Sequence, residues 1–539
     1  QFISIDPQLT WWGAHAAYWL PLRPATDMAI ALAWLHVIMY ENLEDREFVD
    51  LWCAYYDELK EYVEPFTPEW AGKICDLDPE LIRDSARFYA AAERAAIQWG
   101  LAFDTQNDSI QLCQTVSNLM SITGNIDKPG TNLLVRNGFE INPGYATAQL
   151  YCPPETFAKK LTVDVTHPGY VHFIGMADCD AVNHAFETGE PYPVRALIVE
   201  ATNPLLTYAD THRVFDALMG LDLIVVLDYY LTPTASIADF VLPAAGAMER
   251  PTFQAHGGVA NIAYGGPAAC APYYERKVDY DVFRELGLRL GQADEWPEET
   301  FEDAIAATLA PAGMDWDAYC ELGLYHQPPA YAKHLLPGPD GAPQGFATAT
   351  GKIELASEAL DALGGPRLPE PGEPRRLCSD AFVAEREAAG WTHLPLITGA
   401  RKQPYNASMY FNNEAFRTRH PYPVAEVSEA TAAALGLSAG DTVVLATDHG
   451  EARFVLATIR MRDGLINADY GWWHPEWAAG APAFGGMWES NVNCLTSCTV
   501  EEGEPMIGTW SYNAVDCMVR ADNRPLTWQP GFTPDPAGR

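Results

Sequence analysis

The stretch that decides the fold is Val194-Arg195-Ala196-Leu197-Ile198-Val199-Glu200, followed by Leu223-Ile224-Val225-Val226-Leu227-Asp228. Neither run alternates apolar with polar residues, as a strand with one wet face would. A strand that is apolar on both sides is covered on both faces, which is the habit of parallel sheets. Between the two runs, Thr211 to Met219 reads as a helix. Strand, helix, strand in that order makes a parallel crossover unit. A third short strand is expected over Ile237 to Leu242. The fold class is therefore α/β, with a parallel sheet at its centre.

Toward the N-terminus, residues 2–6 read as a short buried strand that ends at Asp6-Pro7. Helices are expected over Met28 to Tyr40, with Thr26 or Asp27 as its cap, and over Glu44 to Tyr62. Two more open at Thr67-Pro68-Glu69-Trp70 and at Asp78-Pro79-Glu80, the latter running to about Arg94. Side-chain oxygens at such positions accept the free amides of the first helical turn. Ala95 to Gly100 is expected to be a short buried strand, and Asp108 to Met120 a helix. Residues 136–190 read as irregular. A linker rich in Pro and Gly covers 365–375, and beyond Pro395 short strands dominate: Thr442 to Thr447, Glu451 to Ile459 and Leu465 to Tyr470. That pattern predicts a C-terminal β-barrel.

The length of 539 residues calls for several domains. The balance of 34 basic and 72 acidic residues, net charge −38, argues against a nucleic-acid or anionic-lipid partner. No apolar run of roughly 18 residues is long enough to span a membrane. The 11 cysteines include no C-x-x-C pair, with Cys494 and Cys498 the nearest in spacing, so scattered buried thiols are expected. Residues 1–7 read as a strand already entering a turn, without an initiator Met, so an N-terminal part is expected to precede them.

A parallel sheet places ligands at the carboxyl ends of its strands. Three such ends carry polar residues: Asp6-Pro7, Thr202-Asn203-Pro204 and Asp228. An Asp there can accept two parallel hydrogen bonds from the edge of a guanine, or it can cap a turn. Order and spacing favour the first. The series Ile5-Asp6-Pro7, Leu20-Pro21-Leu22-Arg23-Pro24-Ala25-Thr26-Asp27, Trp99-Gly100-Leu101, Thr123-Gly124-Asn125-Ile126, Ala201-Thr202-Asn203-Pro204, Asp228 through Ala245, Glu249-Arg250, Thr398-Gly399-Ala400-Arg401, Gly471 through Glu476 and Asn491-Val492-Asn493 resembles the molybdopterin oxidoreductases of the dimethyl sulfoxide reductase family, in order and over nearly the whole chain.

The resemblance implies a multi-domain molybdopterin oxidoreductase fold with parallel-sheet domains and a C-terminal six-stranded double-psi-like β-barrel. Its divisions are expected at 1–125 for the remainder of a first dinucleotide-binding domain, 126–390 for a second, and 391–539 for the barrel. It also implies two molybdopterin guanine dinucleotides around molybdenum or tungsten. Asp6, Pro7, Thr26 and Asp27 are then expected at one guanosine end, and Leu101 and Thr105 beside a pterin. Asn203, Asp228, Arg250 and Asp281 are expected to hold the other nucleotide. Thr398, Gly399, Ala400, Arg401 and Tyr405 are expected to run beside pterins and phosphates, with Trp473, Asn493, Tyr512 and Asn513 closing over them. Arg250 and Arg401 can supply cationic donors to phosphate. His474, in its Trp-Trp-His-Pro-Glu run, is a candidate proton donor.

In the family an N-terminal segment binds a 4Fe-4S cluster and a residue beyond it ligates the metal. Both are expected before residue 1, so no metal ligand is assigned here. Gln8 stands where Arg is common, and Trp11-Trp12 replaces smaller residues. The Trp473–Glu476 and Trp488–Asn491 runs are similar to the subgroup of catechol dehydroxylases, pyrogallol hydroxytransferase and acetylene hydratase. That similarity implies an aromatic funnel, a phenolic small-molecule substrate, reductive dehydroxylation, and an iron–sulfur electron-transfer partner. Many relatives are exported, so the resemblance leans to an exported or cell-envelope location, with a cytoplasmic one as the alternative.

Overall fold

The computed structural model describes residues 1–134, 141, 154–161, 167–169, 177, 179–256, 261–372, 374–399 and 402–524. Its first region is built around the helix Asp27–Tyr40, whose sequence DMAIALAWLHVIMY is apolar on every side. A helix with no polar face must be surrounded. Pro68–Cys75, Pro79–Ala90 and Ser109–Ile122 do this, and Leu32, Leu35 and Ile38 are fully buried. The surrounding helices start where capping chemistry places them. Thr67 accepts from the Trp70 amide at 3.2 Å and Asp78 from the Glu80 amide at 3.0 Å, each with Pro in the first turn. Thr26 precedes the central helix, but its hydroxyl donates to the Arg23 carbonyl at 2.5 Å and does not cap.

Two expectations for this region are corrected. Glu44 to Tyr62 is two helices, Arg46–Trp52 and Tyr56–Tyr62, because Cys53–Ala54 leaves the helix to pair with Ile353–Glu354 as parallel strands. Ala95 to Gly100 is not a buried strand. It is extended and largely exposed, and the Ile97 amide and carbonyl bond to the Asn132 side chain, each at 2.8 Å, where a neighbouring strand would otherwise stand. The N-terminal strand, Ile3–Ile5, pairs in parallel with Tyr18–Leu20 and is only partly buried. Phe346 and Leu355 pack into the first core, so the chain returns there after its excursion through the second sheet.

The second region contains the parallel sheet. Ala196–Glu200, Leu223–Asp228 and Phe240–Pro243 lie side by side, with Glu200 opposite Leu227 and Asp228 opposite Pro243. The third strand starts later than expected, because Ala235–Ile237 forms a 3-10 turn. Asp239 then accepts from the Ile224 amide at 2.8 Å, which helps set the register. Thr211–Met219 is the crossover helix.

The third region is a closed six-stranded barrel. Its order is Thr392–Ile397, Ile466–Ala468, Val424–Val427, Gly450–Thr458, Thr442–Thr447, Asn513–Ala521. Alternate residues fill its interior: Leu394 and Leu396, Val443 and Leu445, Val515, Cys517 and Val519. Among the described residues the cysteines are free thiols, Cys494 and Cys498 included, and no helix is long and apolar enough to cross a membrane.

Leu445 is fully buried in the barrel. Leu445→Ala is expected to cost about 2–5 kcal/mol by cavity formation. Scanning calorimetry should show this as a lowered barrel transition.

Candidate functional site

Where the regions meet, a cavity of about 310 Å³ is lined by Leu101 and Thr105 of the first region, Tyr208 of the second, and Gly399, Tyr470 and Tyr512 of the third. Backbone bonds fix this junction. The Tyr512 amide donates to the Thr105 carbonyl at 3.2 Å, and the Thr398 amide to the Tyr512 carbonyl at 3.0 Å. Gly399 has φ +84°, and a Cβ there would stand 3.0 Å from Cβ of Tyr512, so this turn favours glycine twice over. Tyr208, Trp510, Tyr512 and Tyr470 form a chain of edge-to-face rings along the wall. Burial, with Tyr470 alongside, holds the Tyr512 phenol well above its ordinary pKa, so it keeps its proton. Burial also raises the carboxyl of Asp104, which lines the same cavity.

Several buried polar atoms around this junction have no protein partner. They are the hydroxyls of Thr398, Thr509 and Ser511, and Oε1 of Gln106. An unpaired buried polar group costs on the order of 1–3 kcal/mol. A polar ligand along this wall would satisfy them.

Burial raises the carboxyls of Asp6 and Asp27, which come from different elements, and the Asp27 charge adds to the shift at Asp6. Asp6 accepts from the Gln8 amide at 2.8 Å, and Asp27 from Nε2 of Gln106 at 3.0 Å. Asp108, pushed up to about 6 by burial, adds a third carboxyl. Pro7 accepts from the Arg462 amide at 2.8 Å, tying this end to the barrel. Asp27 also borders a second cavity of about 330 Å³ walled by Ile3, Ile30, Trp34 and Ile97.

The second cluster lies at the carboxyl ends of the parallel sheet. Asp228 accepts from the Tyr229 amide at 2.6 Å, and burial raises its pKa. Asn203 accepts from the Thr234 hydroxyl, and its Nδ2 is buried without a partner. Arg250 keeps Nε buried and unpartnered, and its charge acts on Glu200 and Asp279. Burial raises the Asp281 carboxyl, with Glu302 and Glu285 adding to the shift and Lys277 and Arg284 opposing it. Asp279, which was not singled out from the sequence, feels the Arg250 charge, as Glu200 does. Both acids lie in the first turn of Asp279–Arg289, and only the phase of that helix separates them.

Other expected residues make bonds within the protein. Tyr405 donates to the His420 carbonyl at 2.6 Å and stacks on Phe411, so its hydroxyl is engaged within the protein. Asn493 donates to the Leu206 carbonyl at 2.8 Å, clamping the turn after Asn203. Trp473 is 4% exposed and donates to the Ser408 carbonyl at 3.4 Å. The Asn513 backbone pairs with Ile397. Ala400 and Arg401 lie outside the described residues. The next residue, Lys402, was not singled out from the sequence; its Nζ lies 2.7 Å from Glu426 and 3.1 Å from Asp469.

The Trp473–Glu476 run does not form an open funnel. His474 is wholly enclosed, with Nε2 3.0 Å from the Ser490 hydroxyl, Nδ1 3.6 Å from Glu476, and its ring stacked on Trp477. Burial lowers its pKa despite Glu476. Glu476 also takes Nη2 of the fully buried Arg417 at 2.5 Å. The aromatic run is core, bound by a buried ion pair. The aromatic wall that faces open space belongs to Tyr208, Tyr470, Trp510 and Tyr512.

The family model described as Molybdopterin oxidoreductase matches residues 1–289. This chain belongs to the molybdopterin oxidoreductase family. The model described as Molydopterin dinucleotide binding domain matches residues 394–515 of the barrel region. Acetylene hydratase of Syntrophotalea acetylenica is 31% identical over 506 residues, covering 89% of this chain and 67% of that protein. The solved structure of acetylene hydratase from Pelobacter acetylenicus matches with a TM-score of 0.85 and 29% identity, over 96% of this chain and 73% of that one. Dimethyl sulfoxide reductase DmsA of Escherichia coli is 24% identical over 517 residues, 88% of this chain and 62% of its own. Several other curated relatives are spanned over about half their length.

This molybdopterin oxidoreductase has donors and acceptors that fit pterin dinucleotides. Asp6 and Asp27 on one side, and Asn203, Asp228, Arg250 and Asp279 on the other, would hold the nucleotide ends. The unpartnered hydroxyls beside Gly399 would meet the pterin side.

Asp228→Ala and Arg250→Ala are each expected to lower retained guanine nucleotide roughly tenfold or more, the loss of one charged hydrogen bond apiece. Guanine released on acid hydrolysis of the two purified variants checks this. A pH effect is expected at Glu504, which burial raises to about 7 although the Ile507 and Met506 amides pull it down. Its native pKa lies above the unfolded one near 4.5, so its stabilising share is complete below pH about 4.5 and is lost as pH rises through about 7. Glu504→Gln keeps the acceptor oxygen and removes the charge. The variant should gain roughly 2–3 kcal/mol on wild type between acid and pH 8, read by parallel unfolding curves.

Proposed function

We propose that the chain is the cofactor-bearing bulk of a catalytic subunit that carries two molybdopterin guanine dinucleotides with molybdenum or tungsten, and that it reductively removes a hydroxyl from a catechol-type substrate. The observation that carries the reading is the cavity between Leu101, Gly399 and the rings of Tyr208, Tyr470, Trp510 and Tyr512. A flat aromatic ligand stacks favourably on such rings. When bound, the metal and its pterins supply two-electron chemistry. In the net reaction one aryl C–O bond breaks and one C–H bond forms. Two electrons and two protons are consumed, and the oxygen leaves as water.

The chain's own residues have definite parts in this reading. The Tyr512 phenol, kept protonated by burial, is directed to the Thr207 carbonyl and keeps this wall of the cavity uncharged. The raised carboxyl of Asp104 can hold a proton at the cavity wall. The aromatic rings exclude water and orient a planar substrate. A 4Fe-4S cluster and the metal ligand belong, in this proposal, to a segment outside residues 1–539. Electrons come from an iron–sulfur partner, and the assembly works at the cell envelope.

The likeness to acetylene hydratase favours a second reading, hydration without net redox change. Protein from a cofactor-competent host should first be assayed for metal and guanine. It is then tested with reduced viologen on a catechol panel, and on acetylene without reductant. Viologen oxidation driven by catechols, with loss of one hydroxyl, is the expected result. Turnover of sulfoxide, nitrate or formate with none on phenols would sink the proposal. Hydration of acetylene alone would assign the second reading. Protein with neither metal nor guanine would be a non-catalytic relative.

A further inference from the structure

On the outer face of the barrel, remote from the central cavity, three side chains of different donor type converge. Cys378 lies just before the helix Asp380–Ala388, His393 is on the first barrel strand, and Asp516 is on the last. Leu394 and Cys517 point into the barrel, so by alternation His393 and Asp516 share the opposite face. One ligand atom from each of the three lies within 4.8 Å of the others. From His393 to Thr398 the strand advances roughly 15 Å, which separates this cluster from the pterin wall.

We propose that Cys378, His393 and Asp516 form a zinc site that pins the inter-domain linker to the barrel. Thiolate, imidazole and carboxylate are the ligand types zinc takes, at about 2.0–2.3 Å, so ligand atoms around one ion stand roughly 3.5 Å apart. The carboxylate is already aimed. Oδ1 of Asp516 accepts from the Leu377 amide at 2.5 Å and the Cys378 amide at 3.1 Å. Such outer bonds orient a ligand. Oδ2 is left toward Nε2 of His393, 2.9 Å away. Sγ of Cys378 lies 3.8 Å from the Asp516 carbonyl and 3.9 Å from the Ala446 carbonyl, and the Met518 backbone also reaches it. Small side-chain movements therefore bring all three onto one ion, and a water can complete the tetrahedron on the exposed side of His393.

The surrounding charge is mixed. Arg376 stands 3.5 Å from Oδ2 of Asp516 and opposes a cation, but it also reaches Asp380 at 2.7 Å, where it can remain. Asp448 also bears on the thiol, and its charge favours one. Without metal, burial pushes the Cys378 thiol up to about 12, so zinc would enter by displacing its proton. The alternative is a plain His–Asp pair beside an inert thiol.

The test is zinc content of the full chain, stripped with chelator, exposed to excess zinc and desalted. About one zinc per chain is expected, and Cys378→Ser and His393→Ala should each reduce it at least about tenfold. Cobalt(II) gives an independent readout on the wild type: a thiolate-to-cobalt charge-transfer band with tetrahedral visible bands, which needs no variant to fold. Zinc retained equally by both variants, or a cobalt spectrum without the thiolate band, would overturn the site. Neither readout depends on molybdenum, tungsten or turnover.

Discussion

Tyr512 holds the molecule's three cores in relation to one another. Its amide bonds to Thr105 in the first region, its carbonyl to Thr398 in the barrel, and its hydroxyl to the Thr207 carbonyl at 3.4 Å in the second. Backbone groups at such a junction must be paired, because buried and unpaired they would weaken the fold. One residue satisfies them across three regions. The nearby hydroxyls of Thr398, Thr509 and Ser511 are left without partners. The site is thus a by-product of how the cores are joined: the backbone is sealed and the hydroxyls are not.

The same division runs through the cluster at the sheet's carboxyl ends. Asp228 and Asn203 are held by Tyr229, Thr232 and Thr234, all on the loops that leave their strands. Those bonds fix one edge of each side chain and leave Nδ2 of Asn203 unmet. Further out, Asn491 donates to the Leu205 carbonyl at 3.1 Å and Asn493 to the Leu206 carbonyl, so the barrel grips the loop that presents Asn203. Arg417, Glu476 and His474 play the corresponding part behind the aromatic run, where a buried charge pair locks two segments that apolar packing alone would let slide.

What could be read from the sequence follows from where its information is local. The parallel sheet was legible because Leu223 to Asp228 is apolar on both faces, and the barrel because short strands follow one another beyond Pro395. The break at Cys53–Ala54 was not, since its cause is a strand some three hundred residues away, at Ile353–Glu354. Ala95 to Gly100 misled because its composition suits a strand, while its bonds come from an asparagine side chain. His474 looked available because it sits among aromatics, and aromatic neighbours describe a core as well as a site. The residues that carry the strand-end cluster were legible through their order along the chain. Cys378, His393 and Asp516 were not, because nothing in the chain between them hints that they meet.

The wholly apolar helix Asp27–Tyr40 has a consequence for biogenesis. It has no face that water tolerates, so it cannot persist as an isolated element while the chain emerges. It becomes stable only when Pro68–Cys75, Pro79–Ala90 and Ser109–Ile122 have wrapped it, which requires the chain to be made to at least Ile122. Asp27 stands at the mouth of this helix, so the Asp6 and Asp27 carboxyls come together only then. Until that point the nascent chain presents a hydrophobic segment of a kind that chaperones bind, and a chaperone covering it would also keep a bulky cofactor from entering before there is a place to hold it.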